Sequence, residues 1–372
     1  MDNLFEGYRL RNYNFKLLFL VLCAVVFGTI MINSADHSYL KKQIFGVVIC
    51  IIGLIVLSLI SYKFITKFYI ILYGFNLLML ASVLLFGVNV NGATRWIGSD
   101  DLIKVQPSEF SKIIMIICAA KFLADHKDSI NTAKTLISYA LFCAVPLILI
   151  VSEPDLSTTI DLFVILFVML FVAGLSYKVI LIGLLCLIPL AGSFLWYIRQ
   201  PNPMFIQDYW VTRILSHLYP EDYADTTQYQ QDNSVMAIGS GQLTGKGLNS
   251  STLATVKDAN LISEQQTDFI FSVVGEELGF VGSSILIVIM GSIVLQCIRV
   301  ARKANDDRGM LIATGVATLI GFQTFINIGV ATSMLPNTGI PLPFISYGLS
   351  SLVSSCAGMG LVINVSLQRR KY

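Results

Sequence analysis

The sequence has few charged residues and very little histidine for its length. Aspartate, glutamate, lysine and arginine make up 13% of its 372 residues, and 55% of the residues are hydrophobic. A soluble domain has about 25% charged residues. All three histidines (His37, His126 and His217) lie outside the apolar runs. The composition excludes an ordinary soluble enzyme and argues against a histidine proton relay inside a bilayer.

The chain also lacks the cysteine patterns that are typical of metal sites and disulfide frameworks. It has seven cysteines, each within an apolar run, and no Cys-X-X-Cys motif. We therefore expect small buried or lipid-facing thiols rather than disulfides or metal ligands.

What the sequence does contain is a series of long apolar runs. A helix needs roughly 20 mostly apolar residues to cross a bilayer. On that rule the sequence predicts about ten membrane spans: 15–34, 42–60, 68–88, 105–124, 135–152, 156–174, 178–198, 269–298, 309–331 and 347–367. The predicted fold class is an all-α polytopic membrane protein, with residues 1–372 forming a single integral membrane domain.

Basic residues in the short loops predict the orientation, because lysine and arginine are enriched on the cytoplasmic side. With the N-terminus in the cytoplasm, most of these cations fall inside, including those at 63–67, 127–134 and 299–308. Both termini are then predicted to be cytoplasmic. The one long polar segment, about 199–268, becomes an extracytoplasmic loop between spans seven and eight.

This long segment is the most probable place for chemistry, because long loops in compact proteins are usually functional or disordered. It contains Arg213, Trp210 and four tyrosines, too many aromatics for a plain linker. Its glycine-rich stretch 239–247 includes Lys246 but lacks the spacing of a phosphate-binding loop, so we interpret it as flexible backbone near a bulky substrate. Asp268 ends the segment at the rim of the bilayer.

Charged residues inside or beside the spans require an explanation, because a charge at the bilayer centre costs about 2.5–3.5 kcal/mol on insertion scales. Glu109 and Lys112 lie three residues apart at the start of span four and can pair on one helix face. They form either a structural ion pair or part of a polar cavity open to the outside. Asp155 is either a cap of span six or a cavity residue, and Asp161 lies deeper.

Two further features occur near the C-terminal end. Gln323 and Asn327 are four residues apart on one face of span nine, a spacing that favours hydrogen bonds between helices. Pro336, Pro341 and Pro343 lie between spans nine and ten and argue against a regular helix there. We predict an irregular segment whose backbone is satisfied by protein or by a cavity.

Taken together, the polar motifs resemble those of the SEDS family (shape, elongation, division and sporulation proteins). The matching stretches are Gln106-Pro107-Ser108-Glu109 with Lys112, Glu153-Pro154-Asp155, Thr267-Asp268-Phe269-Ile270-Phe271, Glu276-Glu277-Leu278-Gly279, Asn327-Ile328-Gly329 and 335–348. Two positions depart from the family pattern: Leu349 replaces a second glycine, and Lys42-Gln43 replaces an Arg-Gln pair. The short N-terminus and the absence of a basic C-terminal tail look more like the elongation branch, RodA, than the division branch, FtsW.

The resemblance implies a peptidoglycan glycosyltransferase, an inverting hexosyltransferase of the bacterial cytoplasmic membrane. Such an enzyme polymerises lipid II into β-1,4 glycan strands for cell-wall elongation and rod shape, and releases undecaprenyl pyrophosphate. The implied partners are lipid II, a class B penicillin-binding protein and membrane lipids, with no nucleic acid.

The resemblance also suggests roles for individual residues. Asp268 is the expected catalytic base. The expected substrate-binding residues are Glu109, Lys112, Asp155, Lys42, Arg213, Lys246 and Glu277. Lys112, Arg213 and Lys246 are candidates to stabilise the pyrophosphate, and a divalent cation, Mg²⁺ or Mn²⁺, is the alternative.

Other functions stay open at this stage. A lipid II flippase is one, because membrane-embedded charges are also typical of transport pathways. A scaffold that only recruits the penicillin-binding protein is another, and the FtsW-type division polymerase is a third. Against transport, the polar groups cluster toward the outer side and only Asp161 lies deep.

Overall fold

A computed structural model of the protein describes residues 12–90, 93–98, 104–198, 208–219, 227–249, 255–257, 259 and 261–368. Its helices are α1 (Phe15–Ala35), α2 (Leu40–Leu59), α3 (Tyr62–Lys67), α4 (Tyr69–Phe86), α5 (Pro107–Asp125), α6 (Ala133–Ser152), α7 (Leu156–Val172), α8 (Tyr177–Ile198), α9 (Asp208–Leu218), α10 (Thr227–Ser240), α11 (Ile270–Arg302), α12 (Asp307–Ala331) and α13 (Leu349–Leu367). Two strands, β1 (Val88–Val90) and β2 (Ala93–Trp96), pair antiparallel.

The ten predicted spans coincide with ten of these helices, namely α1, α2, α4 to α8, and α11 to α13. Seven described helices are long and apolar enough to cross a membrane. Helix α5 is not among them because Glu109, Lys112 and Lys121 interrupt its apolar character, and α7 is an apolar helix of 17 residues. The polytopic helical fold is confirmed, and the count of ten spans stays a prediction.

The long segment between α8 and α11 contains regular helices, which the sequence analysis does not predict. It contains α9 and α10, and α10 docks on the end of α12. The Gln231 side chain donates to the carbonyls of Val330 (3.1 Å) and Leu335 (2.8 Å), and the Ser234 hydroxyl donates to that of Ala331 (2.7 Å). The last carbonyls of a helix lack partners within the helix, so polar side chains of α10 satisfy them. The stretches at 199–207 and 220–226 lie outside the described residues.

Helix α11 is broken at Gly279, whereas the sequence predicts one continuous span. Gly279 has φ +63° and ψ −161°, a conformation outside the helical region. Residues 270–277 before the break are all buried, while the part after it exposes Phe280, Val281 and Ile285. The first part is therefore a short segment enclosed by protein, and only the second part has the pattern of a lipid-facing helix.

The glycine-rich stretch supplies hydrogen bonds to this break. The amides of Lys246 and Gly247 donate to the carbonyls of Glu276 (3.0 Å) and Glu277 (2.9 Å). In return, the amides of Phe280 and Val281 donate to carbonyls at 242 (2.9 Å) and 243 (3.1 Å). Amides and carbonyls that lose their helical partners inside a membrane need other partners, because lipid cannot form hydrogen bonds with them. The stretch is therefore a packing partner of α11, which replaces the interpretation of flexible backbone near a substrate.

Two smaller findings also differ from expectation. Cys50 of α2 and Cys356 of α13 form a disulfide, with their Cα atoms 5.6 Å apart. The two helices approach closely, since a Cβ on Gly360 would lie 2.7 Å from the Leu54 carbonyl oxygen. Arg95 lies in strand β2 of the β1–β2 hairpin. The irregular proline-rich segment between α12 and α13 is confirmed.

We predict that Gly245→Ala destabilises the fold. Gly245 has φ +80°, and a Cβ there would lie 2.1 Å from the Glu277 carbonyl oxygen. The backbone conformation alone costs an L-residue about 1–2 kcal/mol, and the clash adds to that. Thermal unfolding of the detergent-solubilised variant should show a clearly lower midpoint.

The matched control is Gly239→Ala, in helix α10. Nothing lies within 4 Å of a Cβ at Gly239. Replacing an exposed helical glycine by alanine stabilises by about 0.5–1 kcal/mol. Equal midpoints for the two variants would contradict the packing role of Gly245.

Candidate active site

A cavity of about 900 Å³ opens between the helices. It is lined by α2, the hairpin, α5, α7, α9, the segment that precedes α11, α12 and the proline-rich segment. The charged residues that line it, among those the structure describes, are Lys41, Lys42, Arg95, Lys104, Lys112, Arg213, Glu109, Asp155, Asp161, Glu264 and Asp268. Both signs of charge are thus gathered in one enclosed space, where electrostatic interactions are stronger than in water.

Asp268 is held by the irregular segments around it. The Asn327 side chain donates to the carbonyls of Asp268 (2.9 Å) and Ile340 (2.8 Å), which lie on irregular segments and not on a neighbouring helix as its spacing predicts. The Ser346 hydroxyl donates to the Thr267 carbonyl (2.6 Å), and the Tyr347 amide donates to that of Gln266 (2.9 Å). The proline-rich segment is therefore fastened along the backbone that carries Asp268.

The surroundings of Asp268 adjust its basicity. Removal from bulk water raises the pKa of its carboxyl to about 6, against an opposing effect of the Arg213 guanidinium. The glycine at 339 allows the close approach, because a Cβ there would lie 3.2 Å from Asp268 Oδ2 and 3.7 Å from Arg213 Nη1. The side chain keeps part of its surface toward the cavity. A carboxylate with a pKa near 6 is ionised at neutral pH and suits general-base chemistry.

Asp155 combines the two roles that the sequence leaves open. Its carboxylate accepts from the backbone amide (3.1 Å) and hydroxyl (2.9 Å) of Thr158, so it caps α7. It also lines the cavity, where it accepts from the Gln106 side chain (3.0 Å) and lies 3.8 Å from Arg95 Nη1. Several donors therefore surround this carboxylate.

Sequence reasoning assigned no role to Arg95 and named Glu153 only as part of a family motif. Arg95 reaches from the hairpin to donate to the Pro154 carbonyl. Glu153 is fully buried beside it, and burial together with the nearby Asp155 carboxylate raises the pKa of Glu153 to about 8. In the sequence, Arg95 has no feature that distinguishes it from other basic loop residues. Only the fold shows that it lines the cavity.

The deep end of the cavity holds Glu109 and Lys112 of α5 together with Asp161 of α7. Lys112 Nζ lies 2.8 Å from Glu109 Oε1 and 3.3 Å from Asp161 Oδ2. All three side chains are buried, at 4% exposure or less. The pair predicted from the sequence is therefore part of a triad, and Asp161 does reach the cavity.

Two predicted site residues lie away from the cavity. Lys246 Nζ contacts Glu276 Oε1 at 2.7 Å, and Lys257 Nζ contacts Glu277 Oε1 at 2.6 Å. The Ser34 hydroxyl of α1 also donates to Glu277 Oε2 (2.7 Å). These carboxylates fasten the segment after α10 to the break in α11. Of the eight predicted residues, Asp268, Glu109, Lys112, Asp155, Lys42 and Arg213 line the cavity, whereas Lys246 and Glu277 do not.

The part of the chain that the structure describes contains no group of three or more histidine, cysteine, aspartate or glutamate side chains that could hold a metal ion. The Mg²⁺ or Mn²⁺ ion stays a prediction.

Known proteins are similar to this chain over nearly its whole length. Stage V sporulation protein E of Bacillus subtilis is 33% identical over 95% of this chain and 97% of its own length. A protein of Geobacter metallireducens named "Probable peptidoglycan glycosyltransferase FtsW" is 31% identical over 97% of this chain and 96% of its own length.

Solved structures of related proteins are also similar to this chain. The rod shape determining protein RodA of Thermus thermophilus is 28% identical with a TM-score of 0.70, covering 97% of this chain and 98% of its own. A chain from a peptidoglycan synthase complex is 30% identical with a TM-score of 0.81, covering 97% and 99%. A family model described as "Cell cycle protein" matches residues 10–371. The chain therefore belongs to the FtsW, RodA and SpoVE family of cell cycle proteins, the SEDS family.

Proposed function

We propose that this protein is a peptidoglycan glycosyltransferase that polymerises lipid II into β-1,4 glycan strands. The observation that carries the proposal is the partly enclosed Asp268 carboxylate beside Arg213 in a cavity of about 900 Å³ with many basic groups. The relatives named as peptidoglycan glycosyltransferases support it, since they cover nearly the whole chain.

In the proposed reaction the 4-hydroxyl of an acceptor sugar attacks the anomeric carbon of the donor sugar. Asp268 takes the hydroxyl proton as a general base. A new carbon–oxygen bond forms on one face of the donor while its bond to the pyrophosphate breaks on the other, so the configuration inverts. The bonding electrons leave with undecaprenyl pyrophosphate. Arg213 and Lys42, both at the cavity, stabilise the negative charge that develops on this leaving group.

The proposed setting is the bacterial cytoplasmic membrane, with both termini in the cytoplasm and Asp268 at the outer face. The proposed partner is a class B penicillin-binding protein. The structural match to a chain of a peptidoglycan synthase complex supports a partner of this kind. A divalent cation, if bound, would supply additional positive charge for the leaving group, and no step depends on it.

We predict that Asp268→Asn abolishes polymerisation of labelled lipid II by the purified protein and its partner. Loss of a general base lowers rates by about 10²–10⁴-fold. The control is Asp232→Asn, an exposed aspartate of α10 outside the cavity, which should polymerise normally. Near-normal polymer from Asp268→Asn would refute the assignment. Movement of lipid II between leaflets without any polymer from wild-type protein would instead favour a flippase.

The pH profile should reveal the same carboxylate. Because the pKa of Asp268 lies at about 6 and the base must be ionised, polymerisation should fall as the pH drops through this value. Arg213 opposes the rise in pKa, so Arg213→Gln should shift this acid limb to higher pH.

His217→Gln serves as the control, since His217 lies on the same helix α9 but not among the cavity residues. It should leave the acid limb in place. An acid limb that is unchanged in Arg213→Gln would contradict the proposed contact between Arg213 and the base.

The cellular role proposed here is elongation, as the sequence suggests. The named relatives at 31–33% identity favour division and sporulation as alternatives, because they are FtsW and stage V sporulation proteins. Depletion of the protein should give rounded cells if it elongates the wall. Filamentous cells without septa would assign it to division, and a defect confined to spores would assign it to sporulation.

A further inference from the structure

Helix α1 contributes no residue to the cavity, although the structure describes all of this helix. It nevertheless contacts the segment that carries Asp268. The Gln265 side chain donates to the carbonyl of Ala35, the last residue of α1, at 3.2 Å. The Ser34 hydroxyl donates to Glu277 Oε2 at 2.7 Å. Helix α1 therefore contacts the chain on both sides of Asp268.

A closer contact joins α1 to the turn 342–346 of the proline-rich segment. A Cβ on Gly28 would lie 2.4 Å from the Phe344 carbonyl oxygen and 2.7 Å from Ile345 Cα. Both atoms belong to the backbone, so no side-chain rotation could relieve the overlap. Because protein interiors are closely packed, a methyl group here must displace either the turn or the helix. The absence of a side chain at this position thus allows α1 to pack directly on the turn.

The turn has an uncommon backbone conformation. Phe344 has φ +66° and is 1% exposed. A positive φ is unfavourable for a bulky residue and persists only where the surrounding structure fixes it. The amides of Ile345 and Ser346 both donate to the Leu342 carbonyl, at 3.1 and 2.9 Å, and close the turn. The contact with Gly28 supports the same backbone from the side of α1.

The turn is in turn bonded to the residues that precede Asp268. The Ser346 hydroxyl donates to the Thr267 carbonyl at 2.6 Å, and the Tyr347 amide donates to the Gln266 carbonyl at 2.9 Å. A displacement of the turn would therefore move or release the backbone next to Asp268. A general base must lie within hydrogen-bond reach of the proton that it takes, so its activity depends on this backbone.

We infer that Gly28 is a positioning residue for Asp268. It allows α1 to support the turn 342–346, and the turn holds the backbone of Gln266 and Thr267. The effect on catalysis rests on the proposed function, whereas the support of the turn does not.

Hydrogen exchange of the full-length protein tests the support of the turn. In Gly28→Ala the amides of Ile345, Ser346 and Tyr347 should exchange faster than in the wild type, because their hydrogen bonds open more often. The matched control is Gly53→Ala, in α2, since nothing lies within 4 Å of a Cβ there. It should leave these amides as protected as in the wild type. Equal exchange in the wild type and Gly28→Ala would overturn the inference.

Polymerisation kinetics with the partner test the effect on the base. A misplacement of about 1 Å can lower a rate by about 10²-fold, so we expect a loss in kcat of this order in Gly28→Ala. KM should stay near the wild-type value, because the atoms that Gly28 contacts belong to Phe344 and Ile345, which do not line the cavity. Gly53→Ala should polymerise normally. Faster exchange with an unchanged kcat would overturn the inference and leave the assignment of Asp268 intact.

Should Gly28→Ala fail to fold, Ser346→Ala provides the test, because it removes the hydrogen bond between the turn and Thr267. It should also lower kcat without raising KM. A normal kcat in Ser346→Ala would overturn the inference, since the turn would then not hold the base. If the wild-type protein formed no glycan polymer, the proposed function would be refuted, while faster exchange in Gly28→Ala would still support the contact.

Discussion

The need to satisfy backbone polar groups away from water governs the geometry of this protein. A helix that breaks at membrane depth exposes amides and carbonyls that lipid cannot pair. At Gly279 the chain solves this with a second piece of backbone, the stretch from 241 to 247, which exchanges four hydrogen bonds with the break. The side chains of Glu276 and Glu277 reinforce the contact through Lys246 and Lys257. Because the buried segment 270–277 is fixed at this end, Asp268 at its other end has a defined position.

The position of Asp268 therefore depends on packing at both ends of that segment. At the far end, backbone hydrogen bonds between the break at Gly279 and the stretch 241–247 hold the segment in place. At the near end, Asn327 and Ser346 hold the backbone carbonyls of Asp268 and Thr267. Asp268, the proposed base, lies on irregular backbone, where a hydrogen bond from Asn327 of α12 replaces the regularity of a helix. Preorganisation of this kind is what general-base catalysis requires.

Sequence reasoning succeeded where function follows from spacing along one element. Glu109 with Lys112, and Gln323 with Asn327, were recognisable because helical periodicity puts each pair on one face. The same reasoning did not predict contacts between residues that are distant in sequence. Lys246 meets Glu276 thirty residues away, Gln323 meets Asp161 162 residues away, and Cys50 meets Cys356 306 residues away. The family resemblance supplied the motifs, but it did not separate the motif glutamates that fasten the helix break from those that line the cavity.

The distribution of charge inside the cavity constrains where an anionic leaving group can bind. Lys112 is buried against carboxylates on both α5 and α7, so its charge is already compensated at the floor. Lys41 and Lys42 are exposed at the cavity, and Arg213 lies against Asp268. An incoming diphosphate gains most from cations whose charge is not already neutralised and least from a balanced buried pair. In the proposed reaction, the diphosphate is therefore better accommodated near Lys42 than beside Lys112. The proposed leaving group would then bind at the exposed lysines of the cavity and not at its buried ion pair.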